Sequence, residues 1–261
     1  MKIKEITDTI ERFAPLGWQE SYDNAGLIVG RDDDEVHRAL LAVDVTEEVL
    51  DEARDEGCDL IITHHPIIFH ALKRFNSADP VQRCVERAIR DRIALYACHT
   101  NLDSAPGGMS WRLAEELGIT ALEVLQPAPS GDGVGFGVVG DLPEAVDMVE
   151  YLHRVRRRLG VGAIRHSDIV RPTVRRVALC TGAGASLIAD ARRARADLYI
   201  TADLKYNDFM TPDRELVVAD VGHFESEYCA IQLLFDILSK NLRTFAVRKS
   251  ERSRNPVNYL M

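Results

Sequence analysis

Residues 39–63, ALLAVDVTEEVLDEARDEGCDLIIT, align without a gap with residues 177–201, VALCTGAGASLIADARRARADLYIT, at an offset of 138 residues. Each copy reads as a strand, a helix and a second strand, because short apolar runs flank apolar residues at helical spacing. Such continuous runs are typical of buried parallel strands, so the alignment predicts an internal duplication. The positions identical in the two copies are those of Leu41, Ala53, Arg54, Asp59, Leu60, Ile62 and Thr63.

The duplication continues into a second pair of stretches, at a shorter offset. AIRDRIALYACHTNLD, which ends at Asp103, resembles ELVVADVGHFESE, which ends at Glu227, when the offset falls to 124 residues. This alignment places His99 on His223 and Asp103 on Glu227. Each carboxylate follows its histidine by four residues, so the two halves carry matching polar motifs after a predicted strand. The alternative is a chance likeness between two βαβ units, and the ungapped stretches argue against it.

The fold expected from this pattern is α/β, with two similar α/β repeats on mostly parallel mixed sheets and a metal site between them. We place the first repeat at 1–126 and the second at 127–261, because glycines and prolines cluster at 127–137. The amphipathic helix predicted at 3–13 should have its counterpart near 141–151, at the offset of 138 residues. The GFGVVG stretch that begins at Gly135 matches a dinucleotide-binding pattern, but it lies within a predicted strand.

Composition narrows the class of protein and its partners. The 261 residues are 46% hydrophobic and 28% charged, as expected of a soluble globular protein, and the net charge is -9. Negative charge argues against nucleic acid and anionic membranes as partners. The chain has five scattered cysteines and no CxxC, which indicates small buried thiols in a reducing compartment. There is no signal-peptide pattern and no apolar run of the ~18 residues that span a bilayer, so we expect a cytoplasmic protein.

His64 and His65 follow a predicted strand directly and stand before Pro66. A single histidine there would be explained by a hydrogen bond within the loop. Adjacent side chains diverge, so two neighbouring histidines do not easily chelate one ion, but they can serve two ions side by side. This pattern favours a two-metal site and therefore hydrolytic chemistry.

The matching motifs of the two halves supply further candidate ligands. His223 and Glu227 are spaced i, i+4 and share one face of a predicted helix start, which makes them a chelating pair. Asp103 is a candidate ligand through its repeat partner Glu227, although helix capping is an alternative. A carboxylate can bridge two cations. For His99 we favour a catalytic role, in orienting a ligand or transferring protons, over direct ligation.

Two more residues are candidates for substrate binding. Asn24 lies in the DNAG stretch before the first predicted strand, where a role in the turn is the alternative. Asp203 is the repeat counterpart of His65, and we expect it to accept a hydrogen bond or to contact substrate. The TGAGAS stretch at 181–186 joins a predicted strand to a helix. It would either hold a phosphate or allow tight packing of helix on strand.

With these residues in view, the chain resembles the Nif-three-like family of dinuclear-metal-centre hexameric proteins, many of which are labelled GTP cyclohydrolase 1 type 2 homologs. The resemblance implies two divalent cations per subunit, a fold of two similar α/β halves, and a homohexamer. It assigns the cations to His64, His65, Asp103, His223 and Glu227. The likeness runs nearly end to end and is carried by WQESYDNAGLIVG, LIITHHPIIFHALK, CHTNLDSAPGGM, CTGAGAS, ADLYITADLKY, GHFESE and NPVNYL.

The function expected is that of a dinuclear divalent-metal-dependent hydrolase with a nucleotide-like small-molecule substrate. If the label of the relatives applies, the substrate is GTP, attacked at its imidazole carbon with release of formate. A dimetal phosphoester hydrolase would use the same ligands, and a non-enzymatic metal-binding regulatory protein is a third hypothesis. Because the set contains imidazoles and carboxylates and no thiolate, it suits Zn, Mn or Fe.

Overall fold

The computed structural model describes residues 1–129, 131, 133–210 and 214–260. Within these ranges the chain forms two compact units. The first unit contains Met1–Leu102 and Ala230–Pro256, and the second contains Asp103–Cys229 with the described residues that follow Pro256.

The strands and helices of the described residues are as follows. The strands are β1 (Gly26–Val29), β2 (Arg38–Ala42), β3 (Leu60–Thr63), β4 (Ala94–Ala97), β5 (Thr120–Pro127), β6 (Gly135–Asp147), β7 (Arg165–His166), β8 (Thr173–Ala183), β9 (Leu198–Ala202), β10 (Val217–Asp220) and β11 (Ala246–Lys249). The α-helices are α1 (Ile3–Glu11), α2 (Glu47–Asp55), α3 (Pro80–Asp91), α4 (Thr100–Ser104), α5 (Met109–Glu116), α6 (Met148–Leu159), α7 (Ile188–Arg193), α8 (His223–Glu227) and α9 (Cys229–Asn241). Short 3-10 turns occupy Leu16–Trp18, Ala185–Leu187 and Tyr206–Phe209.

The first unit is built on a five-stranded sheet in the order β1-β4-β3-β2-β11. Only β1 runs antiparallel to its neighbour, and the other pairs are parallel. Helix α2 begins where the Thr46 side chain accepts a hydrogen bond from the Val49 amide at 3.2 Å. Its apolar face, which includes Val49 and Leu50, is buried in the same core cluster as Leu40 and Ile61 of the sheet. The apolar runs of the sequence are therefore the buried parallel strands that they predict.

The second unit is built on a six-stranded sheet in the order β5-β6-β8-β9-β10-β7. Strands β8, β9 and β10 are parallel, whereas β5, β6 and β7 pair antiparallel to their neighbours. Core clusters include residues of β8, β9 and β10, among them Val177, Leu198 and Val217 in one cluster and Ala178, Tyr199 and Val218 in another. The predicted α/β class with mixed sheets is confirmed.

The strand register repeats between the two units. Ala39 of β2 pairs with Leu60 of β3, and at an offset of 138 residues Val177 of β8 pairs with Leu198 of β9. The order β1-β4-β3-β2 in one sheet corresponds to β7-β10-β9-β8 in the other, with the outer strand antiparallel in both. Strands β4 and β10 occupy equivalent places in the two sheets at an offset of 123 residues. The histidine motifs that follow them match at an offset of 124, so the loop between β10 and His223 is one residue longer than the loop between β4 and His99.

The structure differs from the sequence prediction at 141–151. Strand β6 continues to Asp147, because it pairs with β8 as far as Thr173, and α6 begins only at Met148. The Asp147 side chain accepts a hydrogen bond from the Glu150 amide at 3.0 Å and caps that helix. The repeat boundary expected at 126/127 stays a prediction; the compact units of the structure change between Leu102 and Asp103, and the C-terminal strand β11 pairs with β2 of the first sheet.

Two further observations concern the expectations drawn from composition, one on membrane-spanning helices and one on the cysteines. In the residues that the structure covers, no helix is long and apolar enough to cross a membrane. The cysteines are free thiols; Cys58, Cys84, Cys98 and Cys180 are buried and Cys229 is half-buried. Four of the five are therefore small buried side chains, as the sequence predicts.

Candidate metal centre

Three histidines of the first unit lie together at one edge of the sheet. His64 and His65 follow the end of β3 directly, and His99 follows β4 by two residues. Because β3 and β4 are parallel neighbours, their carboxyl ends lie at the same edge. The ring centroids are 5.0 to 5.4 Å apart, and one ligand nitrogen from each ring lies within 4.8 Å of the others.

The rings of the adjacent histidines His64 and His65 are each oriented by a hydrogen bond at Nδ1. His64 is fully buried, and its Nδ1 lies 2.9 Å from the carbonyl oxygen of Cys98. A carbonyl only accepts, so Nδ1 of His64 carries a proton, and in the neutral ring the lone pair is on Nε2. His65 Nδ1 lies 2.8 Å from the carboxylate of Asp44, which favours the same tautomer. Hydrogen bonds of this kind orient metal-binding imidazoles in proteins.

His99 has the same arrangement with Asp23. Its Nδ1 lies 2.7 Å from Asp23 Oδ1, and the other carboxylate oxygen accepts from the backbone amide of Thr100 at 3.0 Å and from its hydroxyl. Burial opposes ionisation of Asp23, but the hydrogen bonds from His99 and Thr100 outweigh it and hold the pKa of this carboxyl well below its usual range. Asp23 is therefore ionised at neutral pH and fixes the His99 ring. His99 joins the two predicted ligands as a third candidate.

The second unit carries the His223–Glu227 pair on the short helix α8. His223 Nε2 lies 3.0 Å from Glu227 Oε2, and His223 Nδ1 lies 2.8 Å from Asp203 Oδ2. Of the two roles expected for Asp203, the structure shows the hydrogen-bond acceptor. Burial lowers the pKa of His223, but Glu227 and then Asp203 outweigh it and raise the pKa to about 9. This pair therefore holds a proton at neutral pH in the metal-free chain, and a bound cation would compete with that proton.

The buried carboxylate of Glu227 is packed against Gly182. This glycine has φ +63°, and a Cβ placed on it would lie 2.1 Å from Glu227 Oε1. The Gly182 amide also donates to the Ser226 hydroxyl at 2.9 Å. Only glycine leaves room for this carboxylate, so the first glycine of TGAGAS serves to position Glu227.

The second glycine of TGAGAS, Gly184, is also explained by packing. A Cβ at this position would lie 2.3 Å from Thr201 Oγ1 and 2.5 Å from the Tyr199 hydroxyl, and that hydroxyl donates to the Gly184 carbonyl at 2.7 Å. The helix that follows, α7, has six residues and begins only after a 3-10 turn. Of the two alternatives for TGAGAS, tight packing accounts for the glycines, and no phosphate site is needed.

The remaining predicted residues have identifiable contacts. Asp103 Oδ1 accepts a hydrogen bond from the Thr181 hydroxyl at 3.3 Å within the second unit. The Asn24 side-chain amide donates to the Ile68 carbonyl at 2.7 Å, and it thereby ties the loop before β1 to the loop that follows His65. Its predicted contact with substrate stays a prediction.

Sequence reasoning missed Asp23 and Asp44 as partners of the histidines. A signal for Asp44 is present in the sequence: it follows β2 by two residues, and β2 is the parallel neighbour of β3. Its side chain is therefore expected at the same sheet edge as His65. Asp23 has no such signal, because it follows no strand and reaches His99 across 76 positions of the chain.

Comparison with known proteins gives one consistent result. The family model described as Duf34/NIF3 (NGG1p interacting factor 3) matches residues 1–256. A Clostridium perfringens protein named GTP cyclohydrolase 1 type 2 homolog is 34% identical over 230 residues, 87% of each chain. A protein of the same name from Lactococcus lactis is 31% identical over 262 residues, 98% of each chain. The crystal structure of a Bacillus cereus protein related to NIF3 has the same fold, with a TM-score of 0.92 at 23% identity over 100% of this chain and 99% of that one.

Proposed function

The chain belongs to the Duf34/NIF3 family, and from this premise we propose that it is a dinuclear, divalent-metal-dependent hydrolase with a nucleotide-like substrate. The proposed ligands are His64, His65, Asp103, His223 and Glu227. The observation that carries the proposal is the orientation of the histidines. Each imidazole among the proposed ligands has a hydrogen-bond acceptor at Nδ1. The acceptor is a carbonyl for His64 and a carboxylate for His65 and His223.

The donor set fits divalent cations of intermediate hardness. It combines neutral imidazoles with carboxylates and contains no thiolate, which suits Zn, Mn or Fe and does not resemble a closed, cysteine-rich structural zinc site. That the two groups of ligands hold one shared pair of ions stays a prediction from the repeat. Divalent cations at this site would supply Lewis-acid activation of water for hydrolysis.

The protein's own residues would do the remaining work. Asp103 and Glu227 would supply the carboxylate ligands to the cations. His99 is held by the ionised Asp23 through Nδ1. This contact fixes the ring and the proton on Nδ1, so that Nε2 would be the nitrogen that exchanges a proton with a ligand. The position of His99 beside His64 and His65 also suits metal ligation. Substitution of His99 would lower the metal content if it is a ligand, and would leave the metal content unchanged if it transfers protons.

The names of the relatives support a nucleotide as substrate. Proteins named GTP cyclohydrolase 1 type 2 homolog match most of this chain, so GTP or a related nucleotide is the first substrate to test. The family resemblance also leads us to propose a homohexamer, which light scattering on the purified protein would test. The free thiols are in keeping with a reducing cytoplasm.

Turnover with defined metal content tests the proposal. The protein is reconstituted with Zn, Mn or Fe and assayed on a panel of nucleotides and phosphoesters, beside His65→Ala and Glu227→Ala. We expect metal-dependent turnover that both variants lose with their metal. If the loaded protein turns over nothing and the variants lose only stability, a non-enzymatic metal-binding role is the better account.

For His99 the informative variant is His99→Gln. Retained metal with a loss of roughly 100- to 10,000-fold in kcat would identify proton transfer. Loss of metal would identify a ligand.

A further inference from the structure

Two exposed aromatic rings lie beside the three histidines of the first unit. Tyr22 is 63% exposed and Phe69 is 40% exposed. Their ring centroids are 6.3 Å apart with an interplanar angle of 58°, and the Phe69 ring lies 6.1 Å from the His99 ring in an edge-on arrangement. We refer to Tyr22 and Phe69 as the aromatic wall.

The two loops that carry the aromatic wall are held in place by hydrogen bonds. Tyr22 precedes Asp23, whose carboxylate binds His99 and Thr100. Phe69 follows Ile68, whose carbonyl accepts the Asn24 side-chain amide at 2.7 Å. The two rings are therefore attached to backbone that is tied to the candidate metal centre and to each other. The backbone that carries the rings is held in this way, so it loses little conformational entropy when a ligand binds, which favours binding.

Exposed aromatic rings that are fixed next to polar groups commonly mark a binding site. The loop that carries Phe69 is also free of negative charge, although the whole chain has a net charge of -9. Between Asp59 and Asp79 the sequence has no Asp or Glu, and it contains the exposed Lys73 and Arg74. A ligand with a planar ring and an anionic group would match both features, the ring against the aromatic wall and the charge near this loop.

We propose that the aromatic wall formed by Tyr22 and Phe69 binds the planar heteroaromatic ring of the substrate by stacking and thereby selects nucleobase-containing compounds over simple phosphoesters. This inference rests on the proposed hydrolytic function, because it names the recognition element of the same site. Stacking is tolerant of the identity of the base, since every base presents a π-face. The aromatic wall therefore selects compounds that contain a planar ring. Discrimination between guanine and other bases would depend on polar contacts elsewhere.

The test compares a ligand that has the ring with one that lacks it. Guanosine monophosphate and ribose 5-phosphate are titrated calorimetrically into the full-length, metal-loaded protein. We expect the wild type to bind the nucleotide more tightly than the sugar phosphate by roughly 5- to 150-fold, the range expected for stacking of one base. Phe69→Leu should remove most of this difference and leave the affinity for ribose 5-phosphate unchanged, and Phe69→Tyr should restore it.

The chain offers a matched control and a second variant. Phe75→Leu removes another exposed aromatic ring, 52% exposed and on the same loop but outside the aromatic wall, and should leave both affinities unchanged. Tyr22→Leu probes the wall from the other loop, so the test does not depend on one variant folding well. Melting temperature and metal content are measured for every variant, and they should match those of the wild type.

Three results would overturn the inference. In the first, the wild type binds guanosine monophosphate no more tightly than ribose 5-phosphate. In the second, Phe69→Leu and Tyr22→Leu bind the nucleotide as the wild type does. In the third, these variants change the molar mass in light scattering and leave nucleotide affinity unaltered, which would make the aromatic wall a contact between copies of the chain. None of these results affects the proposed function, which stands or falls on metal content and metal-dependent turnover.

Discussion

At the scale of single residues, hydrogen bonds at Nδ1 set the geometry of the candidate metal centre. Asp44, Asp23 and Asp203 hold His65, His99 and His223, respectively, at 2.7 to 2.8 Å. An imidazole held in this way keeps one tautomer and one ring orientation, so less order has to be imposed when an ion binds. The contacts have different surroundings: Asp23 is the most enclosed of these aspartates, whereas Asp44 and Asp203 have exposed side chains.

Asp44→Asn tests whether such a contact matters for metal binding. The amide keeps the shape of the side chain but loses the negative charge that holds the His65 proton, so metal affinity should fall by roughly 10- to 100-fold. Competition with a chelating dye measures this affinity. Asp55→Asn, at an exposed carboxylate of α2, is the control and should bind metal as the wild type does. Equal affinities for Asp44→Asn and the control would show that the contact is incidental.

His223 gives a prediction for the dependence on pH. Glu227 and Asp203 overcome the effect of burial and raise the pKa of His223 to about 9 in the metal-free chain. Since this pKa is above the usual 6.5, protonation of His223 stabilises the metal-free fold in full below about pH 6.5, and the contribution is lost as the pH rises through about 9.

Nitrogen-detected NMR on the metal-free protein measures this pKa directly. In Glu227→Gln it should fall toward 6.5, because the carboxylate that raises the pKa of His223 most is replaced by a neutral amide. A wild-type pKa below 7, or no change in the variant, would be incompatible with this account.

At the scale of elements, the close approach of β8 to α8 gives a sharp test. Gly182 and Gly160 have nearly the same backbone conformation, with φ of +63° and +68°. A Cβ on Gly182 would lie 2.1 Å from the Glu227 carboxylate, whereas nothing lies within 4 Å of one on Gly160. Both substitutions by alanine should cost about 1 kcal/mol of stability for the left-handed backbone. Only Gly182→Ala should also displace Glu227 and reduce metal content.

Metal analysis and thermal unfolding of the two alanine variants check this prediction. Gly160→Ala should keep its full complement of metal with a slightly lower melting temperature. If Gly182→Ala binds metal as well as Gly160→Ala does, then Glu227 is not a ligand or has room to move.

The elements that the sequence predicts well are those with strong periodic patterns. The β2-α2-β3 unit and its copy β8-α7-β9 follow from apolar runs around a helical spacing, and their registers match at the predicted offset. The helix expected at 141–151 fails for a physical reason, because pairing of β6 with β8 extends the strand through residues whose spacing suits a helix. Strand β11 has no apolar run, because it is a largely exposed edge strand, so nothing in its sequence indicates it.

For the site, sequence reasoning finds the side chains that follow strands and misses partners that only the fold brings together. His64, His65 and His99 are found because they follow β3 and β4. Asp23 reaches His99 across 76 positions, and no local pattern encodes such a contact. The role of Gly182 is equally hidden, because the sequence does not reveal which side chain would meet a Cβ there.

At the scale of the whole molecule, the end of the chain completes the first unit. Strand β11 pairs with β2, and the residues that follow it contact Glu52 of α2, which is buried. Glu52 accepts hydrogen bonds from the Ser250 hydroxyl, from the Glu251 amide at 2.8 Å and from the Arg252 amide at 3.1 Å. A buried carboxylate is stable only with such donors, so the C-terminal segment is part of this fold.

A chain that ends at Phe245 tests this dependence. It lacks β11 and the donors to Glu52, and the free energy of unfolding of the first unit should fall by about 3 kcal/mol or more. Hydrogen exchange at the amides of β2 measures the effect locally. A chain that ends at Pro256 retains these contacts and should exchange as the full chain does. Equal protection in both shortened chains would show that the C-terminal segment does not stabilise the sheet.

For the whole site, we propose that imidazoles and carboxylates from distant parts of the chain bind a pair of divalent cations. The most direct measurement is the metal content of protein purified without chelator and then saturated with metal, by inductively coupled plasma mass spectrometry. We expect about two ions per chain, as a dinuclear site requires, and fewer in His65→Ala. A wild-type protein that holds no more than one ion per chain at saturation would contradict the claim.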